Sequence, residues 1–380
     1  MAHNRLIRAV ATIPLALAPL LAACDPPLPE TGGATALVIG YHKNAPQPAI
    51  VGSVNERLRT AITRGDNLVI ISVTGSSKVV ASDSMACPYS NEPACRTFRN
   101  DIVRQIAGTV TKYPADREQA DLIGALNLAR DSLSSAKGPK QIIVIDNGLS
   151  TAGPLILKTF EDLDGNPDDL ARQYAAKGIL HSLAGYSLTF SGLGQTGDDQ
   201  RLPEPYPAKV QNLWKTMATS AGAQDVNLDL TPLPARPSSV SLPSVTVVGP
   251  PKKGPTDVVC DSPQALRADQ LGFVADEATI RNPKSAKALL TSLAQEMRKK
   301  TALTVVLTGT TAYDDGGGRA LSEARAAAVK EILVDLGVDD ARILTQGVGI
   351  DWDGYIPPGG NPQKERDMRL VLIKVNCPGQ

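Results

Sequence analysis

Aromatic residues and net charge are both scarce in this chain of 380 residues. Phe, Trp and Tyr make up 4% of it, so its cores must be built mainly from Val, Ile, Leu and Ala. The 39 basic side chains balance 39 acidic ones, which gives no electrostatic attraction toward nucleic acid or an anionic membrane surface. The sequence also has no basic run and no aromatic stacking platform. We therefore expect no nucleic-acid partner.

Patterns that carry catalysis or bind metal are also missing. Beyond the first 23 residues the histidines are His42 and His181, and no G-x-S-x-G elbow accompanies them, so we expect both at the surface or at helix caps. The glycines at 316–318 lack the G-K-[ST] continuation of a phosphate loop. Residues 162–166 begin like a calcium loop, but Gln173 falls where a bidentate Glu is required. We expect no catalytic residue, no cofactor and no metal.

The first 24 residues differ from everything that follows. Arg5 and Arg8 precede an apolar run over 9–23 that ends in small residues, which predicts a secretory signal over 1–23 that is too short to span a membrane. The tetrapeptide Leu21-Ala22-Ala23-Cys24 resembles the lipobox of bacterial lipoproteins. That resemblance implies that Cys24 becomes the acylated N-terminus. The protein would then be lipid-anchored on the extracytoplasmic side of the cell membrane or envelope.

The other four of the five cysteines suggest two disulfides, because export leads to an oxidising compartment. Cys87 and Cys95 bracket a loop with two prolines (CPYSNEPAC), which favours a local bridge. Cys260 and Cys377 remain, one at each end of the C-terminal region, and their pairing requires the first and last strands there to lie side by side and antiparallel. No close CxxC pair or nearby His supports a metal instead.

Strand and helix patterns alternate along residues 34–228. Apolar runs predict strands at 34–40, 67–73, 78–82, 141–148 and 182–194, and amphipathic segments predict helices at 49–63, 96–112, 117–136, 166–178 and 207–221. This alternation predicts an α/β domain with a doubly wound, mostly parallel sheet. Residues 24–33 should form a tether. Seven prolines in 229–258 predict an extended, stiff linker.

Residues 259–380 predict a separate α+β domain with a mixed sheet. Strands are expected within 264–280 and at 303–309 and 369–375, and helices at 284–299 and 320–336, the latter ended by Gly337. Four stretches stand in a recognisable order, namely 271–276 (LGFVAD), 321–326 (LSEARA), the glycine and arginine positions of 337–349, and Arg366 with 369–371 (RLV). Their order and spacing over about 265–375 resemble the OmpA-like peptidoglycan-associated domain.

The resemblance implies a ligand as well as a fold. In that family an Asp after the second strand and an Arg at the start of the next helix clamp diaminopimelate in the peptidoglycan stem peptide. Arg325 matches the Arg. The place of the Asp falls on Thr310 if the loop before the helix is aligned without a gap, or on Ala312 if that loop contains a two-residue gap. Asp314 and Asp315 lie just beyond, and Arg369 stands in the closing basic stretch. Either Asp314 or Asp315 substitutes for the missing Asp, or the domain keeps the fold without the ligand.

The N-terminal half is similar, over about 34–225, to von Willebrand factor A-like domains. The opening strand, QIIVIDNG at 141–148 and the later strand with its closing helix carry this likeness. The metal motif D-x-S-x-S of that family falls on residues 40–44 (GYHKN), which contain no carboxylate, so Asp146 alone remains of its ligands. Two non-catalytic functions follow. One is a tether between membrane and peptidoglycan. The alternative is an adaptor whose N-terminal domain binds an unknown protein partner and whose OmpA-like domain has lost ligand binding.

Overall fold

The structure is a computed structural model that describes residues 32–197, 200–237, 241–250, 258–314 and 316–378. The predicted signal peptide, Cys24 and Asp315 lie outside the described residues. Contacts divide the chain into two units, each made of two segments. The N-terminal unit comprises the chain up to Lys158 together with Tyr174–Val248, and the C-terminal unit comprises Thr159–Gln173 together with Gly249–Gln380. Part of the region predicted as a linker thus groups with the N-terminal unit, and a segment from the middle of the chain groups with the C-terminal one.

The N-terminal unit is built on a six-stranded sheet in the order β3-β2-β1-β4-β7-β8. Its strands are β1 (Ala34–Ile39), β2 (Asn67–Ser72), β3 (Lys78–Ser84), β4 (Lys140–Ile145), β7 (Tyr186–Ser191) and β8 (Asp225–Asp229), with a small hairpin of β5 (Thr151–Ala152) and β6 (Leu155–Ile156) beside it. The helices of this unit are α1 (Gly52–Arg64), α2 (Glu92–Thr109), α3 (Leu122–Ser132) and α5 (Tyr206–Ser220), while α4 (Pro167–Ala176) begins in the segment that groups with the C-terminal unit and ends in this one. Neighbouring strands pair in parallel except β2 and β3. The predicted fold class is confirmed.

The order of the strands reverses at β1, which lies between β2 and β4. All residues of β1 and β2 are buried, as expected for strands covered on both faces of a parallel sheet. The carboxyl ends of parallel strands lie along one edge, and the crevice at such a reversal is the usual ligand position in α/β sheets. This edge is therefore a candidate ligand site.

The C-terminal unit is built on a four-stranded mixed sheet in the order β11-β10-β12-β9. Its elements are β9 (Gln264–Arg267), α6 (Pro283–Lys299), β10 (Thr304–Thr310), α7 (Gly318–Asp335), β11 (Ile343–Gly349), α8 (Pro362–Met368) and β12 (Leu370–Asn376). Only β10 and β11 are parallel, and the apolar faces of α6 and α7 pack with the sheet in one core. Within the described ranges, no helix is both long and apolar enough to cross a bilayer.

Both predicted disulfides are present in the structure. Cys87 and Cys95 are bonded across their short loop, and Cys260 and Cys377 join positions 117 residues apart. The second bridge needed the first and last strands of the C-terminal domain side by side. β9 does pair with β12 in antiparallel orientation.

Candidate functional site

Two glycines bring helix α7 close to the sheet of the C-terminal unit. A Cβ atom at Gly309 on β10 would lie 1.8 Å from the carbonyl oxygen of Ser322, and one at Gly347 on β11 would lie 2.3 Å from the amide nitrogen of Glu323. Any larger residue at these places would push the helix away. The close packing directs the side chain of Arg325, about one turn further along α7, into the protein.

Arg325 is a buried cation with few partners. Its side chain is buried at 2% exposure, its Nε donates to the carbonyl oxygen of Glu277 at 3.0 Å, and its Cζ lies 5.6 Å from the ring centre of Phe273. No carboxylate of the described residues lies within 4 Å of its guanidinium nitrogens. Burial lowers the pKa of Arg325 to about 10, with a further lowering by the charge of Arg369, so the group stays protonated at neutral pH. Such an uncompensated charge is costly, and it marks candidate binding sites.

Asp276 is the acidic residue whose charge acts on this guanidinium, since it opposes the lowering of the pKa of Arg325. Its side chain is exposed, and its φ of 56° lies in the left-handed region, which Asp adopts more readily than most residues. The sequence marks Asp276 only as the last residue of the stretch 271–276, without a role in the site. The turn that brings it toward α7 depends on tertiary packing, so its position beside Arg325 was missed.

Thr310, the first candidate for the place of the missing Asp, is fully buried. Its hydroxyl donates to the carbonyl oxygen of Met368 at 2.7 Å and accepts from the amide of Leu370 at 2.9 Å. These bonds fasten β10 to the start of β12. The second candidate, Ala312, is 2% exposed and offers no polar group. Neither position supplies a free acceptor for an ammonium group.

Arg369 and Asp314 have local partners. Nη2 of Arg369 lies 3.3 Å from Oε2 of the buried Glu365, whose Oε1 accepts from the hydroxyl of Tyr313 at 2.7 Å. Asp314 is exposed, and its Oδ1 accepts from the amide of Gly316 at 3.3 Å. Of the predicted site residues, Arg325 and Arg369 are thus electrostatically coupled, whereas Thr310 and Asp314 are engaged in other bonds.

Arg366 lies on α8, and Arg369 follows it at the C-cap of that helix, so the predicted closing strand begins only at Leu370. Nη2 of Arg366 lies 3.0 Å from Oδ1 of Asp162, which is also paired with Arg267. The segment that begins like a calcium loop therefore holds its first carboxylate in ion pairs with two arginines. This network is part of the framework of the C-terminal unit.

Comparisons with known proteins agree with this architecture. A model of the OmpA family matches residues 272–353. The C-terminal unit contains an OmpA-like domain. The comparison with curated proteins gives no match.

Several solved structures are similar to this OmpA-like domain. The OmpA-like domain of FopA1 from Francisella tularensis has 20% identity and a TM-score of 0.23, with 30% of this chain and 71% of that chain covered. The peptidoglycan-associated lipoprotein from Burkholderia pseudomallei has 22% identity and a TM-score of 0.24, with coverage of 28% and 88%. The cell wall anchor of the type VI secretion system from Pseudomonas aeruginosa has 23% identity and a TM-score of 0.26, with coverage of 30% and 78%. The von Willebrand factor A-like resemblance stays a prediction.

The carboxyl edge of the N-terminal sheet holds a second group of buried polar side chains. Oδ1 of Asp146 accepts from the amide of Gly148 at 2.6 Å, its Oδ2 has no partner, and burial raises the pKa of Asp146 to about 6. A Cβ at Gly40 would lie 1.7 Å from that Oδ2, so glycine is required there. Among the described residues, no group of three His, Cys, Asp or Glu side chains could hold a metal ion.

The prediction of a surface or capping position for His42 is wrong. His42 is 1% exposed, both ring nitrogens lack partners, and burial lowers its pKa to about 4. The loop after β1 is bonded to distant segments, because the carbonyl oxygen of Tyr41 accepts from the amide of Ala115 and that of Asn44 from the amide of Gly197, an arrangement that the local sequence does not encode. His181 is at the surface, where its Nδ1 lies 3.2 Å from Asp131.

Proposed function

We propose that this protein is a non-catalytic, lipid-anchored protein of the bacterial cell envelope whose OmpA-like domain binds the peptidoglycan stem peptide. The anchor rests on the lipobox that ends at Cys24. The match to the OmpA family over 272–353 supports the choice of ligand. The observation that carries the binding proposal is the buried guanidinium of Arg325, which lacks a carboxylate partner among the described residues.

A zwitterionic amino-acid end supplies the charges that such a site needs. Its carboxylate pairs with the fork of a guanidinium, and its ammonium requires an acidic side chain nearby. Arg325 provides the first group. For the second we propose Asp276, which is exposed and close enough for its charge to act on Arg325. Diaminopimelate in the stem peptide has such an end.

Titration of the full chain with purified stem peptide, together with co-sedimentation on peptidoglycan sacculi, tests this assignment. A partly desolvated charge-assisted bond contributes on the order of 1.5–3 kcal/mol, so Arg325→Ala should weaken binding roughly ten- to a hundredfold. Asp276→Asn should weaken it less, because the ammonium stays partly hydrated. Asp314→Asn is the matched control and should bind normally. Binding that survives Arg325→Ala unchanged would contradict the clamp, and a loss confined to Asp314→Asn would assign the acidic role to Asp314.

The adaptor is the second candidate, and one observation favours it. The family position of the Asp holds Thr310 or Ala312, both buried and without a free acceptor. If wild-type protein shows no affinity for stem peptide or sacculi, the OmpA-like domain has a structural role. The unknown partner of the N-terminal unit then becomes the functional ligand.

The anchor needs its own test. Mass spectrometry of the membrane fraction should show a chain that begins at Cys24 and carries lipid. Cys24→Ala should give a soluble protein. Wild-type protein that is released freely without lipid would contradict the anchor and leave the binding proposal intact.

A further inference from the structure

One piece of the proline-rich region is fitted onto the N-terminal unit with a regular spacing. We call residues 241–248 (SLPSVTVV) the strap. Val245 and Val248 are 2% and 0% exposed and Leu242 packs against the core of this unit, whereas Ser244 and Val247 are exposed. Burial therefore recurs at every third residue. Three residues per turn is the period of a polyproline II helix, which directs one face toward its receptor.

Buried amide side chains bind the backbone of the strap. Gln200, 2% exposed, accepts from the amide of Val248 at 2.9 Å and donates to its carbonyl oxygen at 3.0 Å. Oδ1 of Asn44 accepts from the amide of Val245 at 2.9 Å, and the backbone amide of Lys43 donates to the carbonyl oxygen of Pro243 at 3.0 Å. Contacts to the backbone fix an extended segment whatever its side chains are.

The receptor surface lies beside the carboxyl edge of the sheet. Asn44 belongs to the loop after β1, Gln200 follows the end of β7, and the carbonyl oxygen of Glu118 accepts from the amide of Thr246 at 3.0 Å. Nδ2 of the buried Asn44 has no partner, so a donor for a further acceptor is left over. Any buried segment needs partners for its backbone amides and carbonyls. Here buried amide side chains supply them to an extended segment that buries an apolar residue at every third position, which is how a groove holds an extended peptide.

We propose that this groove receives an extended, uncharged segment of a partner protein with a branched apolar residue at every third position. The strap is an internal ligand of the same pattern, Leu242-x-x-Val245-x-x-Val248, and the partner displaces it. Because the strap is tethered, its effective concentration is high, and a free segment competes poorly until the strap is released. The identity of the peptidoglycan ligand plays no part in this proposal.

The test uses a labelled synthetic peptide of residues 241–250 and the full chain. Val245→Asp with Val248→Asp should release the strap and increase affinity for the peptide at least tenfold over wild type. Val247→Asp is the matched control, because Val247 is 42% exposed, and it should bind as weakly as wild type. A peptide with the same composition but scrambled spacing should not bind. Adding Gln200→Ala to the released variant should abolish the gain.

Other outcomes would overturn the proposal. Equal peptide binding by wild type, control and released variant would show an unrelated surface, and no binding by a folded released variant would show that no groove exists. If the double variant does not fold, Val248→Ser replaces it, and the same increase is required of it. A wild-type dimer that the released variant cannot form would assign the groove to the strap of a second copy.

Discussion

Replacing Arg325 by Met should stabilise the OmpA-like domain and weaken the proposed binding of stem peptide, roughly ten- to a hundredfold as for Arg325→Ala. The lowering of the pKa of Arg325 from its ordinary value to about 10 corresponds to roughly 3 kcal/mol of destabilisation of the charged form, at about 1.4 kcal/mol per pKa unit. Two contacts offset part of this destabilisation. The bond from its Nε to the carbonyl oxygen of Glu277 contributes about 1–1.5 kcal/mol, and the cation–π contact with Phe273 contributes about 0.5–1 kcal/mol. Glu277 is exposed, so water can replace the lost donor. Arg325→Met should therefore raise the free energy of unfolding of the OmpA-like domain by about 1 kcal/mol.

Arg342 offers a matched control with the opposite sign. Its Nε donates to the carbonyl oxygen of Leu303, and its Nη2 donates to those of Met297 and Lys300, each at 2.8 Å. The carbonyl oxygen of Lys300 also accepts from the amide of Leu303, so it keeps a donor when Arg342 is replaced. Arg342→Met should therefore lower the free energy of unfolding by about 2–3 kcal/mol, at about 1–1.5 kcal/mol for each of the bonds to Met297 and Leu303.

Denaturant unfolding followed by tryptophan fluorescence measures both effects. The chain has two tryptophans, Trp214 in the N-terminal unit and Trp352 in the C-terminal unit, so a Trp214→Phe background reports the OmpA-like domain. The folded pKa of Arg325 is depressed, so the destabilisation by its charge is constant below about pH 10 and is relieved only as the pH rises above that value. Measurements near neutral pH are therefore sufficient. If Arg325→Met destabilises as much as Arg342→Met, Arg325 is a framework residue and the clamp reasoning fails.

Two further predictions concern stability. Replacing Cys260 and Cys377 by Ser should lower the free energy of unfolding by up to about 4–5 kcal/mol, and replacing Cys87 and Cys95 by about 2.5 kcal/mol. The difference arises because the first bridge closes a loop of 117 residues and the second a loop of 8, so they restrict the unfolded chain to different extents. Equal losses in unfolding experiments would contradict this account. The pKa of Asp146 in the folded protein is raised to about 6, so the stability of the wild type falls as the pH rises from about 4 to 6. Asp146→Asn should therefore be more stable than wild type by about 2–3 kcal/mol at pH 7.5, and the two should be nearly equal in stability at pH 4. A gain that does not change with pH, read from Trp214 fluorescence, would exclude titration of Asp146 as its cause.

The sequence alone predicted the elements that carry a strong periodic signal. The buried runs at 34–40, 67–73 and 141–148 became β1, β2 and β4, because four to six consecutive apolar residues favour a strand covered on both faces. The helix expected at 320–336 became α7, and the spacing of the cysteines gave both disulfides. These features depend on local chemistry, so one sequence is enough to predict them.

Three elements had no such signal. β8 (DVNLD) is short and polar, β11 (ILTQGVG) alternates through two glycines, and α8 (PQKERDM) has no apolar stripe. Each of these elements is stabilised by hydrogen bonds to neighbouring residues. β8 pairs with β7 and β11 pairs with β10, and Asn361 caps the start of α8 by accepting from two backbone amides.

The sites were decided by tertiary structure. Arg325 could be named from its motif, but only the packing of α7 on the sheet buries its charge and brings Asp276 near it. The sequence likewise predicted an extended segment around Val245 and Val248, because prolines exclude a helix, but not its docking against Gln200. Local sequence sets which conformations are accessible. Burial of a charge or of a backbone amide depends on residues far away in the chain, so only the folded structure shows it.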